Sequence, residues 1–332
     1  MGKRIDHIDL LKGIGIIFIV WAHTANPFIP FIFTFHVPLF FFISGYFYEE
    51  KPFGKFFTDK IRQLLVPYVF FFFLTYLGIA LLYGVSDSFE TFHSDSFYEI
   101  MNGEENFTYN VALWFLLALF LTTFFYFTLH KLKNNYWINS FILVFSLLGY
   151  VLSKLNINLP FYLDSIFTSL LFFHAGFLFK ENQSFIYSIN ENISLISSLS
   201  LFILLSIYIY TLGLAEVGLP LDLRENHISL NYFVFIAMAF SGIIFWWFFS
   251  RKIVRLPFVN FWGRNSLIIM CVHIPLFMLT GFLLLKLKIN SINYLYGLLL
   301  TIITLLVSSF IIVIVNRYLP FLIGKSRYKP IK

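Results

Sequence analysis

Long apolar runs follow one another along this chain, separated by short polar or Pro/Gly-containing breaks. The breaks define ten predicted spans, roughly 8–26, 30–48, 64–84, 111–130, 136–153, 161–179, 193–213, 229–250, 265–285 and 292–316. Most are long enough, at about 1.5 Å per helical residue, to cross a hydrocarbon layer roughly 30 Å thick. Short alternating strands of the outer-membrane barrel kind are absent from the sequence. The predicted fold class is therefore all-α: a polytopic membrane protein with about ten transmembrane helices, built as a single domain over residues 1–332.

Ten spans place both termini on one side, and the Lys/Arg distribution selects the side. With cytoplasmic termini, 19 of the 23 basic residues fall on inner segments, and only Lys154, Arg224, Lys286 and Lys288 lie outside. The net charge of +6 is then a topology signal with some attraction to anionic lipid, and not a nucleic-acid footprint. Two outer loops are polar. Residues 85–109 carry Asp87, Glu90, Asp95, Glu99, Glu104 and Glu105 without a Lys or Arg, and the second loop reads AEVGLPLDLRENH. Each is either a solvated connection or the lip of an outward-facing substrate site.

Composition agrees with the pattern. The chain is 59% apolar and 12% charged, which excludes a water-soluble domain with a polar surface. It is expected in the cell membrane as a multi-pass protein. The basic start MGKR precedes a run with no small-residue cleavage pattern, so the first span is read as a retained helix and not a removable signal. Cys271 is the single cysteine, so no intramolecular disulfide exists. GxGxxG, Walker, CxxC and HExxH patterns are missing, as are internal repeats. Abundant Phe, Ile, Asn and Lys suggest an AT-rich bacterial genome.

Ionisable groups within spans are costly and usually face water or each other, so Asp9, Lys12, His23, His36, His174 and His273 are where chemistry is sought. Lys12 and His23 are eleven residues apart, which sets them on one helical stripe about 16 Å apart along the axis. Asp9 is placed to pair with Lys12. Gly13 and Gly15 allow close approach of a neighbouring helix. The chain then folds back through Asn26-Pro27 and Pro30, which brings His36 down beside His23, the two about 9 Å and 4 Å below the turn. Pro38 withholds a helical donor and frees a carbonyl near Thr34. His273 follows Ser266 by seven residues on one face, with Pro275 loosening the next turn. Interhelical polar glue is the competing reading for each histidine, and the favoured one for His174. Arg62, in KIRQLLVPY, is either a positive-inside anchor or an anion clamp.

DLLKGIGIIFIVWAH, FHVPLFFFISGYF, KIRQLLVPY, ALWFLLALF, LLFFHAGFLF and WGRNSLIIMCVHIPLF, in that order, resemble the membrane-bound acyltransferase family 3, in particular its short fucose O-acetylase-like members. The family's basic-x10-His signature falls on Lys12 and His23, with Lys12 where Arg is common; the change keeps the charge and loses bidentate anion binding. Its Phe-His-x-Pro element falls on His36, Pro38, Ser44 and Gly45. Its pre-span Arg falls on Arg62, its Trp-Phe motif on Trp114, and its Asn-Ser...His motif on Asn265, Ser266 and His273. Longer relatives carry a fused extracytoplasmic hydrolase-like domain, which this sequence is not expected to have.

The resemblance implies transfer of an acyl group, commonly acetyl, from cytoplasmic acetyl-CoA to a sugar hydroxyl of a lipid-linked or surface glycan. The expected partners are the acyl-CoA donor, the glycan acceptor and the bilayer, without nucleic acid. In that reading His23 is the general base, His36, His273 and Asn265 assist it, and Lys12, Arg62, Asp9 and Trp114 form the donor side. No metal is expected, because the histidines lack i, i+4 spacing and nearby carboxylates. A transporter or flippase of a glycan or acyl intermediate is the rival, weakened by the absence of a duplicated half.

Overall fold

The computed structural model describes residues 5–85, 108–213, 221–286 and 293–325. The acidic stretch 86–107 and residues 214–220 of the second outer loop lie outside the described residues. Among the described ones, nine helical spans are long and apolar enough to cross a membrane. With α1 (Asp6–Ala22) they correspond one for one to the ten predicted spans. In chain order they are α2 (Ile29–Ile32) with α3 (His36–Tyr46), α4 (Phe53–Lys60) with α5 (Val66–Val85), α6 (Trp114–His130), α7 (Asn135–Lys154) and α8 (Leu163–Glu181). After the short α9 (Gln183–Ser188) come α10 (Glu191–Thr211), α11 (Tyr232–Ile253), the short α12 (Pro257–Arg264), α13 (Ser266–Lys286) and α14 (Tyr294–Tyr318). The one sheet among the described residues is a two-stranded hairpin between α10 and α11, with Leu221 opposite Ile228 and Asp222 opposite His227.

Asparagine starts several of these helices. Asn134, Asn190, Asn231 and Asn293 each accept a backbone N–H from the first turn, so the donors orphaned at a helix start are partly satisfied where the chain enters the apolar layer.

α1 is the hub, in contact with α3, α11, α12, α13 and α14. Two pairs of glycines bring backbones together. A Cβ on Gly13 would meet the Val259 carbonyl of α12, and one on Gly263 the Asp9 carbonyl of α1; between α3 and α8 the same holds for Gly45 against Phe173 and Gly176 against Phe42. Apolar side chains gain little by leaving lipid for protein, so such close backbone packing is what holds membrane helices together. Gly15 meets the Phe40 ring, so both glycines expected to admit a neighbour do so.

Two spans depart from the continuous helices predicted for them. The second is broken over residues 33–35, and α3 begins at His36. Pro38 therefore sits in the first turn of α3, where no helical donor is required, so the break precedes His36 instead of following from Pro38. The third starts eleven residues before its predicted beginning: α4 and α5 run on through a π-helical turn at Ile61–Leu65. Pro67 explains the wide turn, since its ring would press on the carbonyl four residues back and it offers no N–H there.

Candidate active site

α1 carries its two polar groups toward different chambers. The larger chamber, about 460 Å³, is lined by Lys12, Lys51, Lys60, Arg264 and Lys325, with Glu49, Asp59, Gln63, Ser44 and Asn265 among them. The Lys12 ammonium lies 4.5 Å from the centre of the Phe47 ring and near enough to Asp9 to feel its charge. The second chamber, about 230 Å³, is lined by His23, His36, Trp114, Asp222 and Arg224. Phe40, Phe115 and Met270 line both. The two chambers meet at a wall of two rings and a thioether.

The Asn-Pro turn that separates the histidines is built by Asn26, which is buried. Its Nδ2 donates to the carbonyls of Trp21 (2.7 Å) and Thr24 (3.1 Å), and its Oδ1 accepts from Phe28 N–H (2.9 Å). One side chain ends α1 and starts the return.

Each site histidine is held in the same way. Nδ1 donates to the carbonyl four residues earlier: His23 to Ile19 at 2.8 Å, His36 to Ile32 at 2.7 Å, His273 to Ile269 at 2.9 Å. A carbonyl only accepts, so the hydrogen is on Nδ1 and the lone pair is on Nε2. For His23 the accepting carbonyl is in the last turn of α1, where the His23 N–H has moved to the Val20 carbonyl; for His36 the Ile32 carbonyl also accepts the Phe35 N–H at 3.2 Å. His23 is exposed although protein surrounds it, because the surface it exposes is chamber wall; His36 is buried at the same wall. His273 stands behind His23, ring centres 5.1 Å apart and edge to face, and its buried Nε2 has no hydrogen-bond partner among the described residues.

The turn after His273 shows where a proline's missing donor goes. Pro275 cannot bond the Cys271 carbonyl, and Asn110 Nδ2 takes its place at 2.8 Å. Asn110, fully buried, also donates to Thr75 at 3.2 Å and departs from helical dihedrals at φ −153°, ψ 64°. The sequence announces the orphaned carbonyl, but not its donor 161 residues away.

The hairpin supplies the other feature that the sequence reading did not single out. Asp222 faces the His23 chamber, and its charge reaches His23. Burial holds its carboxyl above the ordinary carboxylate range, against the opposing pull of the Arg224 guanidinium.

The remaining expected site residues are dispersed. Trp114 starts α6 at the histidine chamber, its ring 5.5 Å from that of Tyr162, so it belongs with His23 and not at the basic mouth. Asn265 lines the basic chamber, away from the histidines, and its amide is used by the Phe261 carbonyl (2.8 Å) and by Asn316 Nδ2 (2.9 Å). Arg62 is exposed on the π-turn and lines neither chamber, whereas its neighbour Gln63 faces the basic one. His174 lies between the Tyr126 hydroxyl (3.0 Å) and Asn139 Oδ1 (2.8 Å) and lines neither chamber. Among the described residues no group of three or more His, Cys, Asp or Glu is placed to hold a metal ion.

Chemically, the arrangement sets cations able to hold a phosphorylated ligand on one side of Phe40, Phe115 and Met270, and the imidazoles of His23 and His36 on the other. The chain matches no curated protein and no solved structure. A family model described as an acyltransferase domain matches residues 5–314, from the residue before α1 to the last turns of α14. With nearly the whole chain inside that match, including all of the histidine chamber and Lys12, Lys60 and Arg264 of the basic one, the chain belongs to acyltransferase family 3, as a membrane acyltransferase.

Proposed function

We propose that the protein is an O-acyltransferase that moves an acetyl group from cytoplasmic acetyl-CoA to a sugar hydroxyl of a cell-surface or lipid-linked glycan. The observation that carries this reading is the pair of chambers on α1, one basic and one imidazole-lined, sharing Phe40, Phe115 and Met270. The positive-inside rule assigns the basic chamber to the cytoplasm. Lys12, Lys60 and Arg264 hold the phosphates of the donor there. The thioester passes the shared wall, and the acceptor enters the histidine chamber from the other side.

His23 Nε2 takes the proton of the attacking hydroxyl, whose oxygen bonds to the thioester carbonyl carbon. The C–S bond breaks, and the leaving thiolate takes the proton back from the imidazolium. With its hydrogen held on Nδ1 by the Ile32 carbonyl, His36 presents its Nε2 lone pair to the chamber and orients the acceptor's hydroxyls, and His273 supports the His23 ring from behind. Acetylation of the imidazole itself, followed by transfer, uses the same geometry.

The test is purified protein in proteoliposomes with radiolabelled acetyl-CoA, together with mass spectrometry of surface polysaccharide from cells with and without the protein. Wild type is expected to turn over acetyl-CoA and to add acetyl mass to the polysaccharide. His23→Ala is expected to lower the rate by about 10²–10⁴ with normal membrane insertion. Wild-type protein that moves a glycan or acyl intermediate across the bilayer without turning over acetyl-CoA would instead favour a transporter.

A further inference from the structure

The hairpin at Leu221–Ile228 is fastened more firmly than a connection between two helices requires. Asn226, buried and in the left-handed region at φ 45°, donates to the Gly149 carbonyl at 2.8 Å and accepts from Thr168 Oγ1 at 3.3 Å. Ile228 N–H donates to Ser153 Oγ at 2.9 Å, and Lys154 Nζ donates to the carbonyls of Ile228 and Ser229 at 2.8 and 3.0 Å. Ser165 Oγ donates to the Arg224 carbonyl at 3.3 Å. Both α7 and α8 grip it, whereas loops outside a membrane bundle are ordinarily mobile.

What this rigidity presents to the histidine chamber is Asp222, with Leu223 and Arg224. Asp222 Oδ1 accepts the Arg224 N–H at 2.9 Å, a local turn that fixes the direction of the carboxyl. A carboxylate offers about four acceptor sites, so the turn leaves capacity for a ligand. His23 already uses Nδ1 on the Ile19 carbonyl, so Asp222 is not the group that orients the base. The remaining arrangement has a fixed lone-pair nitrogen and a fixed carboxyl on the walls of one small chamber.

We propose that the hairpin reads the acceptor: Asp222 accepts a hydrogen bond from a second hydroxyl of the sugar while His23 Nε2 takes the proton of the hydroxyl being acylated. The acceptor class is then a polyhydroxylated ring with a free hydroxyl near the reacting one, not an alcohol with a single hydroxyl. This rests on the O-acyltransferase reading above and adds no covalent step to it. The charged or titratable groups facing this pair are His36 from α3, His273 from α13 behind His23, and Arg224 and Glu225 from the hairpin itself.

Asp222→Asn tests it, because Asn keeps the size and the oxygen that accepts the Arg224 N–H. Two quantities are measured for wild type and variant: hydrolysis of acetyl-CoA by protein in proteoliposomes, where water is the acceptor, and O-acetyl content of surface polysaccharide from cells carrying each form. The ratio of transfer to hydrolysis is expected to fall about 10- to 100-fold, the range for losing a hydrogen bond to a charged group. Asp222→Glu is expected to recover part of it. An unchanged ratio overturns the proposal, whether both activities persist or both fall together. A variant that no longer folds, judged by its thermal unfolding, assigns Asp222 to the hairpin's structure and also overturns it. Failure of wild type itself to use acetyl-CoA or acetylate the polysaccharide would count against the underlying reading instead.

Discussion

Asn110→Ala isolates one buried interaction beside the site. Asn110 is fully buried and closes two hydrogen bonds, to the Cys271 carbonyl and to Thr75 Oγ1. The first matters more, because Pro275 leaves that carbonyl with no helical donor and lipid supplies none. Truncation removes bonds worth about 1 kcal/mol each and leaves a buried acceptor unsatisfied, a further cost of about 1–3 kcal/mol. The expected destabilisation is about 2–4 kcal/mol, a shift on the order of 5 °C in unfolding midpoint for a chain of this size. Pro275→Ala restores an N–H four residues after Cys271. In that background Asn110→Ala should cost about 1–2 kcal/mol less, a coupling within the usual range for residues sharing one partner. The chain provides its own reporter: Cys271 is the single cysteine and is buried, so a thiol-reactive fluorogenic dye reads unfolding during a temperature ramp in detergent. Equal costs in the two backgrounds would refute the assignment of Asn110 as the substitute donor.

Three further outcomes are expected. Gly176→Ala should lower the unfolding midpoint by the equivalent of about 1–3 kcal/mol, since its Cβ would press on the Phe42 carbonyl of α3, whereas Gly281→Ala on α13 meets open space and should be neutral or stabilising. Met270→Trp thickens the wall between the chambers and should reduce acetyl transfer at least tenfold while binding of acetyl-CoA, followed by a fluorescent CoA analogue, is retained; undiminished transfer would mean that the thioester takes another route. Asp222→Asn should leave stability at pH 7 equal or higher. Burial raises the Asp222 carboxyl in the folded chain, so folding opposes its ionisation; that penalty is absent below the unfolded carboxylate pKa and develops as pH rises toward the folded one. Unfolding midpoints across pH check this, and a variant less stable at pH 7 would contradict it.

Much of the architecture was legible from hydropathy alone. In a bilayer every backbone polar group must be satisfied within the segment, so a run of apolar residues between polar breaks becomes a helix with few alternatives. The ten spans follow from that constraint, and the two departures are local events at prolines and turns, where a hydropathy window cannot see the change in pitch. The stripe from Lys12 to His23 was likewise readable, because helical periodicity is a property of a single element.

Contacts between elements were not readable. Which donor meets the Cys271 carbonyl depends on the docking of a segment 161 residues away in sequence. That His23 and His36 share a chamber follows from the fold-back, but that the wall behind it is Phe40, Phe115 and Met270 follows from three separate helices. Asn265 lies close to His273 in sequence yet lines the basic chamber, since it stands just before the start of α13 whereas His273 lies two turns further along, behind His23. Asp222 shows the limit most clearly. It stands in a polar loop indistinguishable in composition from a solvated connector, and only the grip of α7 and α8 on the hairpin turns it into the His23 chamber. Sequence by itself determined the helices, their number and the face that bears charge, because these depend on local hydrogen bonding and hydrophobicity. Tertiary structure decided which charges meet, because side chains are brought together by packing between helices that no local pattern encodes.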